Sequence, residues 1–147
     1  MSVAVTYGDY QFSTDKRRLD IAVVHACLTQ SYWSPGIPRQ TVERAIDGSL
    51  CFGVYHQSAQ IGFARVITDK ATFAYLADVF ILEPHRGQGL SKRLMELILA
   101  HSDLQGLRRF MLATKDAHGL YRQFGFTALG DPSRLMEVLR PDVYKTL

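Results

Sequence analysis

The chain has 147 residues, of which 47% are hydrophobic and 21% charged, and its formal net charge is +3. This length fits one compact domain, 1–147, and the composition excludes a disordered or membranous chain. No apolar run reaches about 18 residues, so we expect no transmembrane helix, and the small positive charge is too weak to indicate nucleic-acid binding.

The cysteines and the N-terminal residues bear on the cellular compartment. Cys27 and Cys51 are the only cysteines, they lie far apart, and each falls within an apolar pattern. This predicts two buried thiols rather than a disulfide framework or a cysteine-based zinc site. The first residues, MSVAVTYGDYQF, lack the basic region and apolar run of a secretory signal. We therefore expect a cytoplasmic protein.

The N-terminal third predicts one strand and two helices around a loop. DYQFSTD (9–15) is typical of a short strand that ends in capping residues, and KRRLDIAVVHACLTQS (16–31) is typical of a helix. One face of that helix is predicted to carry Leu19, Val23, Ala26 and Cys27. YWSPGIPRQ (32–40) is rich in proline and glycine and predicts a loop. RQTVERAIDG (39–48) predicts a short helix closed by Gly48.

The rest of the chain alternates between strand and helix patterns. The runs 49–56, 60–69 and 72–82 are rich in Val, Ile, Phe and Tyr and predict an antiparallel meander of three strands. A helical face follows, formed by Leu90, Leu94, Leu97, Ile98 and His101. RRFMLAT (108–114) predicts a buried strand, DAHGLYRQFGF (116–126) a short helix that stops at Gly125, and FTALG (126–130) and RLMEVL (134–139) small strands. This order indicates a mixed α/β domain around one sheet.

The turn RGQGLS (86–91) stands directly before the helical pattern that begins at Leu90. The first N–H groups of a helix lack partners and carry the positive end of its dipole, so a glycine-rich turn there favours phosphate. A P-loop is excluded because G-x-x-x-x-G-K-[ST] does not occur, and a Rossmann fingerprint fails because Lys92 stands where its third glycine belongs. The structural alternative is a sharp strand-to-helix turn with no ligand.

The run DVFILEPHRGQGLSKRLM (78–95) resembles the coenzyme A-binding motif of the GNAT superfamily of N-acetyltransferases, [QR]-x-x-G-x-[GA]. Arg86, Gly89 and Ser91 take its three defined positions, with serine in place of the usual Gly or Ala. The resemblance covers roughly residue 13 to the C-terminus. It implies the GNAT-like acyl-CoA N-acyltransferase fold, with a mostly antiparallel sheet, a splayed strand and flanking helices. It also implies acetyl-CoA as co-substrate, with the pyrophosphate held by Arg86, Gly87, Gln88, Gly89, Leu90 and Ser91.

Two further stretches carry the same resemblance. Asp78-Val79-Phe80-Ile81 falls where the family often has Asp-Leu-x-Val, on the strand that pairs with the pantetheine arm, which implies Val79, Phe80 and Ile81 as coenzyme contacts. AHGLYRQFGF (117–126) matches A-x-x-L-Y-x-x-x-G-F. Thr114 stands where many relatives have Asn, which puts that side-chain contact with the coenzyme in doubt.

The resemblance implies direct acetyl transfer from a thioester to an amine. A backbone N–H of Phe80 or Ile81 would stabilise the thioester oxygen, and Tyr121 would protonate the coenzyme sulfur, as a phenol that stays protonated at neutral pH. The alternative for Tyr121 is a core tyrosine. Asp78 is the candidate general base or amine contact, and its alternative is a structural carboxylate. We read Asp116 as a helix N-cap, Asp69 as a turn residue, and His25, His85 and His118 as packing or surface residues.

Acceptor binding is assigned to three residues. Tyr32 and Trp33 can wall a pocket for an amine, or fix their loop to the core instead. Arg65 can bind a substrate carboxylate, although an exposed or ion-paired arginine is the commoner outcome. No His, Asp or Glu grouping has metal-ligand spacing, so we expect no metal.

The favoured function is acetyl-CoA-dependent transfer of an acetyl group to a primary amine of a small-molecule or amino-acid-like acceptor. Acetylation of a protein lysine or N-terminus, and a non-catalytic acyl-CoA-binding module, stay open as alternatives. Nucleic acid and membrane are not expected partners. Members of the family are frequently dimers, so the resemblance leaves a homodimer open.

Overall fold

The computed structural model describes residues 2–146 of the chain, and the side chain of residue 146 is not included. Its strands are β1 Ala4–Tyr7, β2 Tyr10–Ser13, β3 Leu50–His56, β4 Ala59–Thr68, β5 Phe73–Ile81 and β6 Arg109–Leu112. Its helices are α1 Ile21–Thr29, α2 Arg39–Asp47, α3 Leu90–Ala100 and α4 His118–Arg122. Short 3₁₀ helices lie at Lys16–Arg18, Glu83–His85, Ser102–Leu104, Pro132–Arg134 and Val143–Thr146.

The strands form one sheet in the order β1-β2-β3-β4-β5-β6. Each neighbouring pair is antiparallel except β5 and β6, which are parallel. A parallel connection needs a crossover, and α3 supplies it between β5 and β6. The predicted mixed α/β fold with a mostly antiparallel sheet is confirmed, including the meander of β3, β4 and β5.

Two apolar clusters cover the two faces of the sheet. The first contains the buried residues of α3 and α4, among them Leu94, Ile98 and Tyr121. The second contains the buried residues of α1 and α2, among them Leu28 and Val42. Successive strand residues point to opposite faces, and the buried neighbours of β3 accordingly divide between the clusters, Cys51 into the second and Phe52 into the first. The helices therefore lie in two layers with the sheet between them.

Helix ends follow the local sequence. Asp20 caps α1, because its carboxylate accepts a hydrogen bond from the Val23 N–H. Gly48 closes α2, as predicted. Helix α3 begins at Leu90 after Gly89, which has the left-handed φ of 77° that glycine adopts without strain.

Several sequence predictions of local structure are wrong. The core face of α1 is Val24 and Leu28, whereas Ala26 is exposed and Cys27 only partly buried. The strand β1 was not predicted, and it forms a hairpin with β2. The strands predicted at 126–130 and 134–139 do not form; these residues hold a 3₁₀ turn and irregular backbone. Their apolar content is typical of strands, but in the described chain they form no ladder with another strand.

Among the described residues, no helix combines the length and the hydropathy needed to cross a bilayer.

Candidate functional site

The turn before α3 presents bare backbone to open space. Gly87 and Gly89 have φ angles of 80° and 77°, in the left-handed region. A Cβ atom built on either glycine would meet no atom of the described residues within 4 Å, apart from its chain neighbours. The glycines are thus required by backbone conformation and not by crowding, and they leave room for a ligand to approach the peptide groups.

The first turn of α3 is free to bind an anion. No side chain among residues 2–146 caps the helix, and its first turn contains no acidic residue. The N–H groups at a helix start have no partner within the helix, so those of Gly89, Leu90 and Ser91 are directed out of the turn. Leu90 itself is buried, which fixes the start of the helix to the core. Together with the helix dipole, this geometry suits a phosphate or pyrophosphate group.

A polar cluster that was not predicted from the sequence holds this turn through side-chain contacts with β2 and β3. The Tyr10 hydroxyl lies 2.8 Å from Nδ1 of His85, and the Gln88 amide donates to the same hydroxyl at 3.0 Å. The rings of Tyr10 and His85 meet edge to face at 5.6 Å, and the ring of His56 lies 5.2 Å from each. His85 therefore has the packing role predicted for it. Gln88 holds the turn through its side chain and leaves its backbone for a ligand.

Arg86 links the turn to the end of β5. Its Nε donates to the backbone carbonyl of Ile81 at 2.8 Å, while the residue is exposed overall. Its charge also reaches α1, where it opposes the effect of burial on Cys27. The pKa of that thiol is nevertheless raised, because burial dominates. Burial likewise raises the pKa of Cys51 to about 11. Both thiols stay protonated near neutral pH, so neither is an activated nucleophile.

Strand β5 separates from β6 as it approaches the turn. The two strands pair only from Phe73 to Leu76, opposite Arg109–Leu112. From residue 77 to residue 81 the edge of β5 on that side has no strand partner in the described chain, while its other edge pairs with β4. The predicted splay is therefore present. Its free peptide groups lead directly to the turn at 86–91.

The splayed part of β5 alternates between the two faces of the sheet. Val79 and Ile81 pack on the first cluster, and Phe80 packs on the second, with its ring 5.9 Å from that of Phe63. All three predicted contact residues thus hold the strand by their side chains. What they expose at the splay is backbone.

A β-bulge places Asp78 in an unusual conformation. Pairing of β4 with β5 shifts between Phe63 and Arg65, so that two β5 residues stand opposite one β4 residue. Asp78 takes φ of 56°, a left-handed conformation that Asp tolerates better than most residues. The bulge changes the direction of the Asp78 side chain, whose carboxylate reaches Arg65 and Trp33.

The carboxylate of Asp78 is shared between two partners. Arg65 Nε donates to one oxygen at 2.7 Å, and Trp33 Nε1 donates to the other at 2.8 Å. The Arg65 and Asp78 side chains are 16% and 8% exposed, and Arg65 also donates to the Ser49 hydroxyl. Arg65 thus has the ion-paired arrangement that the sequence left open. Its role in substrate binding, and that of Asp78 as a base, stay predictions.

Tyr121 lies in α4 with its ring in the first cluster and 8% of its surface exposed. Its hydroxyl has no hydrogen-bond partner among residues 2–146 and is not sealed from solvent. Burial raises the pKa of the Tyr121 phenol above its usual value, with smaller contributions from Tyr32 and Asp116. The phenol is therefore a protonated donor with a free O–H, close to the acceptor loop that carries Tyr32.

The start of α4 differs from the prediction. Asp116 is not its N-cap; the cap residue is Ala117, with no side-chain bond of its own. The Ala117 N–H is instead bound by the Thr114 hydroxyl at 3.0 Å. Thr114 is thus occupied within the protein, which accords with the doubt about its contact with a coenzyme.

Tyr32 and Trp33 span the opening between β5 and β6. Their rings meet edge to face at 5.0 Å, and they are 55% and 44% exposed. The Tyr32 hydroxyl accepts a hydrogen bond from the Lys115 N–H, just beyond β6, while Trp33 is bonded to Asp78 on β5. The pair therefore crosses the splay as an aromatic wall.

The chain has counterparts among known proteins. A family model described as "Acetyltransferase (GNAT) family" matches residues 21–126. The chain belongs to this family. The match includes the splayed strand, the glycine turn and Tyr121, so the GNAT identification drawn from the motifs is confirmed, and the protein is an N-acetyltransferase.

This GNAT protein has similar relatives. A protein of Gibberella zeae named as a putative acetyltransferase is 33% identical over 139 residues, covering 79% of this chain and 77% of that protein. The crystal structure of a protein from Xanthomonas campestris pv. campestris, described as a putative acetyltransferase of the GNAT family, is 55% identical. The structural match covers 92% of this chain and 96% of the Xanthomonas chain, with a TM-score of 0.90.

A more distant structure of similar fold was solved with acetyl-CoA. It is a predicted acetyltransferase with acetyl-CoA from Clostridium acetobutylicum, 13% identical, with a TM-score of 0.62. The structural match covers 95% of this chain and 96% of the Clostridium chain. At this identity the likeness shows the fold alone. That fold is one in which coenzyme A derivatives bind.

The candidate site falls into two halves that the structure joins. The turn at 86–91 and the splayed edge of β5 meet through Arg86, and Tyr32, Trp33, Arg65 and Asp78 form one connected group across the splay. The residues missed from the sequence are Tyr10 and His56. The only sequence feature that could have indicated them is that each is an aromatic residue with a polar group at the end of a strand. Within the described ranges, no three His, Cys, Asp or Glu side chains are arranged to hold a metal ion.

Proposed function

We propose that this GNAT protein transfers an acetyl group from acetyl-CoA directly to the primary amine of a small-molecule or amino-acid-like acceptor. The observation that carries the proposal is the continuity of two binding features. The uncapped start of α3 follows the β5 edge at residues 77–81, which has no strand partner within the part of the chain that the structure describes. One feature suits a pyrophosphate, and the other suits an extended amide-bearing chain.

The described residues fit acetyl-CoA by their geometry. Open space at Gly87 and Gly89 allows close approach of the pyrophosphate to the N–H groups of residues 86–91. The free peptide groups of residues 77–81 can pair with the two amides of the pantetheine arm as a further strand would. The bound thioester supplies the activated acetyl group.

Stabilisation of charge falls to the splayed backbone and to Tyr121. An N–H of Phe80 or Ile81 is suited to hydrogen-bond the oxygen that becomes negative during transfer, and removing one such donor typically costs on the order of a hundred-fold in rate. Tyr121 is suited to give its proton to the leaving sulfur. Its pKa is raised, so the protonated form is present throughout the neutral range.

Acceptor binding is assigned to the aromatic wall. The exposed faces of Tyr32 and Trp33 suit the apolar part of an amine, or its cation before deprotonation. The Asp78 carboxylate, fixed by Arg65 and Trp33, suits either an amine contact or proton acceptance through a water. The covered position of Arg65 favours structural pairing over recognition of a substrate carboxylate.

Calorimetric titration with acetyl-CoA tests coenzyme binding, with Gly89→Glu as the decisive variant. The substitution adds bulk and negative charge to the turn, so binding should weaken at least about tenfold. Gly106→Glu is a matched control, since Gly106 also has a left-handed φ, 72°, and open space around its Cβ position. Loss of binding in both variants, or absence of binding by folded wild type, would contradict the proposal.

An acceptor screen follows, with release of the coenzyme thiol as the readout. Small primary amines and amino acids are compared with lysine-containing and free-N-terminal peptides at equal amine concentration. The proposal expects turnover with members of the first group. Turnover confined to peptides would establish the protein-acceptor alternative instead.

A further inference from the structure

The turn before α3 holds a single side chain between two glycines. Gly87 and Gly89 both have left-handed φ angles, and Gln88 lies between them. Glycine loses more backbone freedom on ordering than any other residue, so a turn of this composition is costly to hold in one conformation. Residues 86–89 are all exposed, and burial of their own side chains therefore does not fix the turn. Its conformation depends on polar contacts with the rest of the protein.

The side chain of Gln88 supplies one such contact. Its amide nitrogen donates to the Tyr10 hydroxyl at 3.0 Å and to the backbone carbonyl of His85 at 3.4 Å. A carbonyl oxygen can only accept a hydrogen bond, which fixes the nitrogen of the amide, and not its oxygen, on this side. Both hydrogens of the amide are then used, one towards β2 and one within the segment that leads into the turn.

The Tyr10 hydroxyl serves two partners at once. Its oxygen accepts the hydrogen bond from Gln88, and its single hydrogen is available for Nδ1 of His85, which lies 2.8 Å away. Tyr10, His85 and Gln88 together form a brace for the turn. The phenol is the one member that lies on the sheet, so it connects the turn to a distant part of the chain.

The position of Tyr10 is set by the core and not by the turn. The residue is 8% exposed and belongs to the first apolar cluster, together with Leu90 and Leu94 of α3. It lies opposite His56 in the ladder between β2 and β3, and the ring of His56 is 5.2 Å from the rings of both Tyr10 and His85. The hydroxyl is thus a fixed point to which the exposed turn is attached.

A second attachment lies on the other side of Gly87. The Arg86 Nε donates to the backbone carbonyl of Ile81 at 2.8 Å. The turn is therefore held on both sides of this glycine, and on its own part it is held by side-chain atoms. Its peptide N–H groups are left for a ligand.

We propose that Tyr10 is a positioning residue for acetyl-CoA, which holds the glycine turn in its pyrophosphate-binding conformation through Gln88 and His85. The role rests on the proposed function, because the ligand of the turn is the pyrophosphate proposed above. A ligand that meets a site already ordered gives up less binding free energy to order it. The brace acts on binding alone, since acetyl transfer is assigned to the backbone of β5 and to Tyr121.

Tyr10→Phe tests the brace by calorimetric titration with acetyl-CoA. The variant keeps the ring, and with it the edge-to-face contact with His85, but loses the hydroxyl. We expect Kd to rise about three- to tenfold, which corresponds to one hydrogen bond. The KM for acetyl-CoA should rise likewise, while kcat at saturating acetyl-CoA should stay unchanged. Tyr55→Phe is the matched control on β3, because the Tyr55 hydroxyl has no partner in the described chain, and its Kd should equal that of wild type.

A double-mutant cycle tests whether the effect passes through the turn. Gln88→Met removes the amide from the other side of the same contact, and because Gln88 is exposed this variant leaves the core intact. If both substitutions break one contact, the double variant should bind acetyl-CoA about as tightly as the weaker of the two single variants. Gln105→Met is the control, since the Gln105 amide donates to backbone carbonyls at the far end of α3. Its Kd should not change.

The order of the turn in the ligand-free protein gives a readout that needs no coenzyme. Backbone order parameters from ¹⁵N relaxation should be lower for residues 87–89 in Tyr10→Phe than in wild type, and unchanged in β3 and β4. A loss of order confined to the turn separates positioning from a general loss of stability.

Weaker binding with unchanged kcat, non-additive single variants and a less ordered turn would support the proposal. Wild-type affinity in Tyr10→Phe, an equal loss of affinity in Tyr55→Phe, or effects of Tyr10→Phe and Gln88→Met that multiply would overturn it. A wild-type protein that does not bind acetyl-CoA would contradict the proposed function instead. The order parameters of the turn would then still decide whether Tyr10 holds it.

Discussion

Replacement of Tyr121 by Phe tests the assignment of the proton donor. The ring is 8% exposed and packs 6.0 Å from the ring of Phe126, and Phe keeps both the ring and its contacts. The lost hydroxyl has no partner in the described chain, so the free energy of unfolding should change by less than about 1 kcal/mol. Only the donor is removed.

The expected loss in rate follows from the role of that donor. General acid catalysis contributes about a hundred- to ten-thousand-fold, and kcat of Tyr121→Phe should fall within that range. The affinity for acetyl-CoA should stay unchanged, because the proposed coenzyme contacts are backbone groups of β5 and of the turn before α3. Thiol release on the identified acceptor measures the rate, and calorimetric titration measures the affinity.

The pH profile gives a second readout. Tyr121 acts in its protonated form, and its pKa is raised by burial, so the active form persists above the ordinary tyrosine value of about 10. The wild-type rate should therefore show no loss from this group in the neutral range and should decline only at strongly alkaline pH. In Tyr121→Phe that decline should be absent.

Tyr55→Phe is the matched control for this experiment. Tyr55 is 2% exposed, its hydroxyl is buried without a partner in the described chain, and burial raises its pKa to about 12. Removal of this hydroxyl should leave the rate unchanged and stabilise the protein by about 1 kcal/mol. Full activity of Tyr121→Phe on the true acceptor would refute its role as the acid, and lost coenzyme affinity would make it a binding residue instead.

Three further predictions concern stability and are read by thermal or urea unfolding. Gly62→Ala should destabilise by about 1 to 3 kcal/mol, because its Cβ would lie 2.9 Å from that of Val54, whereas Gly119→Ala in α4 has open space and should not destabilise. Asp78→Asn should cost about 1 to 3 kcal/mol because its arginine partner loses the opposite charge, and Asp78→Ala should cost more since φ is 56°. The hydrogen bonds to Asp69 lower its pKa, so its stabilising effect is complete above its unfolded pKa of about 4 and is lost as pH falls. The difference in melting temperature between wild type and Asp69→Asn should therefore shrink in acid, and a constant difference would contradict this account.

The fold was largely predictable because its signals are local. Apolar spacing located α2, α3, α4 and the three strands of the meander, and the confirmed turn at Asp69 follows from one side chain bonding nearby backbone. The errors in the strands lie in segments whose apolar pattern is typical of a strand but which pair with no other strand in the described chain. RLMEVL has the apolar content typical of a strand, yet strand formation needs pairing with a neighbouring edge, which the local pattern cannot supply.

The candidate site was predictable to a similar extent. The glycine turn and the start of α3 depend on residues within one short stretch, so the motif located them. The brace behind the turn joins Tyr10 to His85 and Gln88 across 75 and 78 residues. The carboxylate of Asp78 is likewise shared with partners 13 and 45 residues away. No spacing rule connects such pairs.

The sequence by itself therefore determined the family and the bare helix start, and it led to the proposal of Tyr121 as the proton donor, since each depends on neighbouring residues. The tertiary structure decided that Arg65 pairs with Asp78, that Trp33 joins them across the splay, and that the C-terminal segment stays outside the sheet. The physical reason is that periodicity fixes which face of an element is apolar, whereas packing of distant elements fixes what that face and its polar groups meet.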